Sequence, residues 1–224
     1  NRQIAHCGHA TIAAFSYLAQ LNRIPSAHSS KETIEGRREI LMKGELAFME
    51  QRAPVYTAVS TSLYQKILAS LRITSADLLD EKISVVSTGN SFLLIPLHSQ
   101  AVLKALQPDL ELIEEVSEEL DLIGYYPFTL EQFVANHDVS TRMFAPRYAI
   151  PEESGTGMAA GPLACYLFDR LKIQKEEFAI EQGWCMNPAS PSLIRVSLEI
   201  SSGNIQRLMA GGKGMVSKKI IIEV

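Results

Sequence analysis

Residues 150–167, "IPEESGTGMAAGPLACYL", set Glu152 and Glu153 ahead of a Ser154-Gly155-Thr156-Gly157 turn, and a run of small and apolar residues follows at once. The run predicts a helix over about 156–171. The first N–H groups of a helix lack intrahelical partners, and the helix dipole places partial positive charge there. Glycines at such a start remove the Cβ atoms that would keep an anion away from the amides. The turn is therefore a candidate carboxylate clamp. The structural alternative is an ordinary N-cap, with Ser154 or Thr156 as the capping residue.

The same pattern occurs near the beginning of the chain. Residues 7–18, "CGHATIAAFSYL", repeat the order of a small nucleophile-type residue, a glycine, a polar residue and an Ala-rich helix ending in Tyr-Leu. Ile12, Phe15, Leu18 and Leu21 fall at helical spacing, so a helix over about 9–21, buried on most sides, is expected. Strand-like segments follow each helix. The repeat predicts an α+β protein of two pseudo-symmetric domains, 1–81 and 82–224, each a β-barrel-like mixed sheet around a central helix. Both helix starts are expected to meet in one cleft between the domains. The chain opens at Asn1 with "RQIAHCGH", the pattern of a strand tail entering a turn, so the first domain is expected to lack its opening elements.

Between and beyond the helices, residues 32–50 suggest short strands with turns at Gly36 and Gly44, and "STSLYQKILASL" suggests a helix capped by serine. "ISVVSTGNSFLLIPL" contains two β-rich runs about a turn, and residues 99–121 predict two helices, the second from about Pro108 and Asp109. "LIGYYPF", "STRMFA", "EFAIEQG", "LIRVSLEI", "IQRLMAGG" and "GMVSKKIIIEV" are expected strands, the last returning to the first domain.

Composition limits the function classes. The 224 residues are 46% hydrophobic and 21% charged, with a formal net charge of −4, which describes a globular protein with scattered basic residues and no nucleic-acid surface. No apolar run approaches the length of a membrane span, so no membrane partner is expected. Three cysteines are too few for a disulfide framework, and a cytoplasmic location is the expectation.

The chemistry-bearing candidates lie at the two turns. Glu152 and Glu153 either compensate the helix dipole or supply a general acid or base. His9, one residue past Gly8, is either a structural hydrogen-bonder or a proton carrier. Cys7 is either a small buried residue or a thiolate activated by the helix start. Cys165 lies inside the second helix and is expected in the core. His6 and His9 have no further ligands nearby, so no metal site is expected.

Together, "CGHATIAAFSYL", "VVSTGNSFLLIPL", "STRMFAPRYAIPEESGTGMAAGPLACYL" and "IEQGWCMNPASPSLIRV" resemble the phenazine-biosynthesis PhzF-like isomerases of the diaminopimelate epimerase fold. The resemblance covers nearly the whole chain. It implies a cofactor-independent isomerase or epimerase that moves a proton on a small carboxylated metabolite, in an interdomain cleft, in a homodimer. It implies His9 and Glu153 as catalytic groups, with Gly8, Gly155, Thr156 and Gly157 holding the substrate. It also implies a catalytic Glu upstream of "GHAT", to which no position here corresponds. A non-catalytic protein that binds a small anion is the alternative. Three departures stand out: Glu153 replaces the family's Asp, Ser154-Gly155 replaces Pro-Ala, and Met158 replaces a serine. Cys7 and Ser154 match the two thiols of the related epimerases, which leaves a second pair for one-sided proton abstraction.

Overall fold

The computed structural model describes residues 8–33, 36–79 and 82–216. Its order is α1 (Gly8–Gln20), β1 (His28–Thr33), β2 (Gly36–Lys43), β3 (Leu46–Gln51), β4 (Val55–Ala58), α2 (Thr61–Leu71), β5 (Ser84–Ser87) and β6 (Ser91–Leu97). Then come α3 (Gln100–Ala105), α4 (Leu110–Glu119), β7 (Gly124–Thr129), β8 (Val139–Thr141), α5 (Gly157–Asp169), β9 (Glu177–Gln182), β10 (Ser192–Ser201) and β11 (Asn204–Gly212). The fold is mixed α+β. All described strands join one sheet in the order β1-β2-β3-β11-β10-β9-β8-β7-β6-β5-β4.

Most neighbours are antiparallel, but β6–β7 and β8–β9 run parallel. A parallel pair needs a long crossover. Between β6 and β7 the crossover carries α3 and α4; between β8 and β9 it carries α5. The crossover that contains α5 also contains the whole 142–157 segment, and this places the turn of interest at one end of the sheet.

Residues Met158 to Phe168 of α5 are all buried. They pack on Phe92 and Leu94 of β6, Tyr126 and Phe128 of β7, Ile180 of β9, Val196 of β10 and Leu208 of β11. The alternate residues of β6, Leu93 and Ile95, face the other way, into a second core with Leu63, Ile67 and Leu71 of α2 and Ile113 and Val116 of α4. Covering β6 on both faces explains its uninterrupted apolar run. Close approach of α5 to the sheet depends on Gly161: a Cβ there would lie 2.2 Å from Gln51 Oε1 and 2.7 Å from Leu208 Cδ1.

The expected burial of the first helix is corrected. In α1 only Gly8, Thr11 and Ser16 are buried, whereas Tyr17 and Leu18, with Leu21 just beyond its end, are 37%, 36% and 43% exposed. The reason is cover: β3, β11 and α5 supply the main contacts to α1 among the described residues, and they reach one face. That face is pinned by polar bonds. Ser16 Oγ donates to the Glu45 carbonyl at 2.6 Å and accepts from the Gly214 N–H at 2.9 Å, while Lys31 Nζ donates to Thr11 Oγ1 at 2.9 Å.

One strand expectation also changes. "STRMFA" supplies only the short β8, because the backbone of Phe144 and Ala145 leaves the ladder for isolated bridges to Tyr125 and Ile150. Of the expected strand over 214–224, residues 214–216 form no regular structure and the remainder lies outside the described residues. Among the described residues, no helix is long and apolar enough to cross a membrane.

Candidate active site

The two adjacent glutamates have separate tasks. Arg142, one residue past β8, donates from Nε and Nη2 to the two oxygens of Glu152, both at 2.8 Å. Its Nη1 reaches the Leu106 and Leu103 carbonyls at 3.1 and 3.4 Å, and its guanidinium lies 4.8 Å from the Phe144 ring centroid. Arg142 is 8% exposed and Glu152 17%. This bidentate pair ties the segment before the turn to the end of α3, so Glu152 is a structural anchor.

Glu153 turns the other way. Its Oε1 lies 3.0 Å from His9 Nδ1, and its Oε2 accepts from Thr156 Oγ1 at 2.8 Å. The Glu153 N–H donates to the Met143 carbonyl at 3.0 Å, which fixes where the side chain starts. His9 sits in the first turn of α1, 60% exposed, and Glu153 is 17% exposed. The hydrogen bond to Glu153 raises the His9 pKa above its ordinary value; partial burial opposes this, and the charge of Glu153 adds to it.

A buried amide supports the turn from below. Gln182, at the end of β9, accepts at Oε1 from the Thr156 N–H (3.0 Å) and from Tyr126 Oη (3.0 Å). Its Nε2 donates to the Glu153 carbonyl (2.6 Å) and to Thr156 Oγ1 (3.1 Å). Gln51 of β3 acts similarly one residue on, donating to the Gly157 carbonyl at 2.9 Å and accepting from Thr88 Oγ1 at 2.7 Å. Thr156 is the N-cap residue of α5 but makes no side-chain capping bond, because its hydroxyl is used by Glu153. The capping alternative is corrected on this point, and Ser154 is not the cap either.

The pair opens on a cavity of about 150 Å³. Gly8, His9, Glu153, Thr156, Gly157 and Met158 line it from the two helix starts, and Ile123, Met143, Ala145, Tyr148 and Ile150 form the remaining wall. The structure thus brings five of the expected site residues, Gly8, His9, Glu153, Thr156 and Gly157, to one place. Gly155 and Ser154 are not in the lining. The position a Gly155 Cβ would take faces Ser192 Oγ at 3.0 Å, so that glycine serves packing against β10. Cys7 lies outside the described residues. Cys165 is in the core, where burial pushes its thiol pKa up.

The clamp also needs correction in detail. The Thr156 amide is occupied by Gln182, which leaves Gly157 and Met158 as the first amides of α5 that no hydrogen bond engages among the described residues. Met158 lies between the two helix starts: a Cβ on Gly8 would meet its Cγ at 3.0 Å, and Asn90 Nδ2 lies 3.0 Å from its Sδ.

Sequence reasoning missed Gln182, Gln51 and Tyr148. The first carried a usable signal. Period-two alternation along "EFAIEQ" places Gln182 on the same face as Phe178 and Ile180, and an amide on a core row demands polar partners.

A mixed sheet wrapped on a buried helix, with an imidazole–carboxylate pair at the helix start, defines an α+β protein with a candidate acid–base site. The comparisons with known proteins agree with the fold class. Residues 1–219 match the phenazine biosynthesis-like protein family, and the chain belongs to that family. It is 31% identical over 171 residues to an uncharacterised isomerase of Clostridium acetobutylicum, a match covering 74% of this chain and 57% of that protein. It is 28% identical over 171 residues to the trans-2,3-dihydro-3-hydroxyanthranilate isomerase of Pseudomonas chlororaphis, covering 75% of this chain and 56% of that protein. The crystal structure of the Bacillus anthracis phenazine biosynthesis protein of the PhzF family superimposes with a TM-score of 0.77 at 23% identity, over 95% of this chain and 75% of that one. The first two matches thus span little more than half the length of those relatives.

Proposed function

We propose that the protein is a cofactor-independent isomerase that moves a proton between two carbons of a small carboxylated metabolite. The observation that carries this reading is the His9–Glu153 contact of 3.0 Å in the wall of a small cavity at the start of α5. The substrate carboxylate is held by the open Gly157 and Met158 amides, where the helix dipole favours an anion. One C–H bond breaks as a base takes the proton, and another forms as the proton is returned; no electrons leave the substrate. Glu153 and His9 share that proton between carboxylate and imidazole. A pair able to exist in either state can both accept and deliver it. Ile123, Met143 and Ile150 give the cavity an apolar wall against which the carbon skeleton of the substrate can rest. The name of the Pseudomonas chlororaphis relative suggests a cyclic amino acid such as trans-2,3-dihydro-3-hydroxyanthranilate as the first compound to try.

The test is incubation of the full-length protein with small carboxylates, that compound included, in D2O. Deuterium appearing at carbon in a recovered isomer supports the reading. The second reading, a binding protein without chemistry, is favoured by Met158, which puts a thioether where a polar contact to substrate is expected. Calorimetric binding of a carboxylate with no deuterium uptake would select it.

A further inference from the structure

The hydrogen bonds beneath the turn are directional, and their direction can be deduced. The Thr156 N–H can only donate, so the atom of Gln182 that it meets at 3.0 Å is the oxygen. The Glu153 carbonyl can only accept, so the atom it meets at 2.6 Å is the amide nitrogen. That nitrogen also faces Thr156 Oγ1 at 3.1 Å. A hydroxyl that receives a hydrogen bond there has its own hydrogen left for another acceptor, and Glu153 Oε2 stands 2.8 Å away. Tyr126 Oη holds the Gln182 oxygen from the far side, and both Tyr126 and Gln182 are fully buried. Nothing in this chain can be reversed without setting donor against donor or acceptor against acceptor.

We propose that Gln182 is the positioning residue of the His9–Glu153 pair: its amide commits the Thr156 hydroxyl to donate to Glu153, and this holds the carboxylate in line with His9. The inference deepens the acid–base reading of the site and rests on it. Gln182 touches neither the cavity nor His9, so it acts through Thr156. The other titratable groups around the pair are accounted for. Tyr148 lines the same cavity, Tyr126 lies under Gln182, Glu152 is tied to Arg142, and Glu181 projects from the opposite face of β9 to His137 at 2.6 Å.

The experiment is an NMR titration of His9 in the full-length protein, which needs no substrate and so separates failure of this inference from failure of the isomerase reading. Glu153→Gln sets the reference for a lost pair. Gln182→Leu removes the donated and accepted bonds without adding a charge beside the pair. Gln182→Met removes the amide outright. Thr156→Val deletes the hydroxyl, and Thr156→Ser keeps it.

The expected result is a His9 midpoint in Gln182→Leu, Gln182→Met and Thr156→Val that drops toward the Glu153→Gln value. Thr156→Ser should stay with wild type, and Gln182→Met with Thr156→Val should give no further drop than either alone. A purely structural role would lower the melting temperature and leave the midpoint where it was. Folded Gln182→Leu or Gln182→Met with an unmoved midpoint overturns the proposal, as does a Thr156→Ser midpoint as low as that of Thr156→Val. If Gln182→Met does not fold, Gln182→Leu and the Thr156 pair decide.

Discussion

Glu152 and Glu153 are neighbours in sequence with the same chemistry and opposite assignments, so replacing each with glutamine separates anchor from site. In Glu152→Gln the carboxamide oxygen can still accept one Arg142 N–H, but its NH2 group confronts the other. One charge-assisted bond is lost, about 1.5–3 kcal/mol. The guanidinium, 8% exposed, also loses its counter-charge. Removing a buried partner altogether costs about 3–5 kcal/mol, so a loss of about 2–4 kcal/mol is expected for this partial break. In a chain of 224 residues, at about 2–4 °C per kcal/mol, the melting temperature should fall by about 5–15 °C. Glu153→Gln is different. Its partner His9 is 60% exposed, so the pair contributes under about 1 kcal/mol, and the carboxamide can still accept from Thr156. Its melting temperature should stay within about 4 °C of wild type. Thermal and urea unfolding of the two full-length variants measures both. Equal losses, or a Glu152→Gln protein as stable as wild type, would refute the assignment.

Three other outcomes are expected. Because the folded-state pKa of His9 is raised, the His9–Glu153 contact stabilises the fold fully below the unfolded histidine pKa, near 6.5, and the contribution fades as pH climbs through the folded value. Urea midpoints across that range should show this small slope in wild type and not in His9→Asn. Gly161→Val should lose about 1–3 kcal/mol in the same assay, since its side chain would enter the space of Gln51 Oε1 and Leu208 Cδ1. Glu181, 1% exposed, accepts from the Phe133 and Val134 N–H groups, Ser140 Oγ and His137. Glu181→Ala should therefore speed hydrogen exchange of the Phe133 and Val134 amides relative to amides elsewhere in the sheet; unchanged protection there would contradict that anchoring role.

Much of the architecture was legible because it rests on local patterns. Gly-rich starts followed by Ala-rich runs gave α1 and α5, serine and Asp109 marked the starts of α2 and α4, and the "TGNS" turn separated β5 from β6. What stayed hidden depends on partners distant in sequence. The pattern of α1 resembles that of α5, yet one helix is half covered and the other enclosed, because burial is set by which strands arrive. The split between Glu152 and Glu153 could not be read from two adjacent identical residues; it is made by Arg142 on one side and His9 on the other. The hydrogen bond that occupies the Thr156 amide was hidden for the same reason, since Gln182 arrives from 26 positions away in the chain.

The most direct measurement compares wild type and Glu153→Gln, both folded, for the rate at which solvent deuterium enters the carbon skeleton of the small carboxylates tried in the D2O assay. A positioned acid–base group contributes about 10²–10⁴-fold, so the variant should be slower by at least about a hundredfold. Equal rates in the two proteins would show that the proton passes through other groups, and the pair at the start of α5 would lose its role.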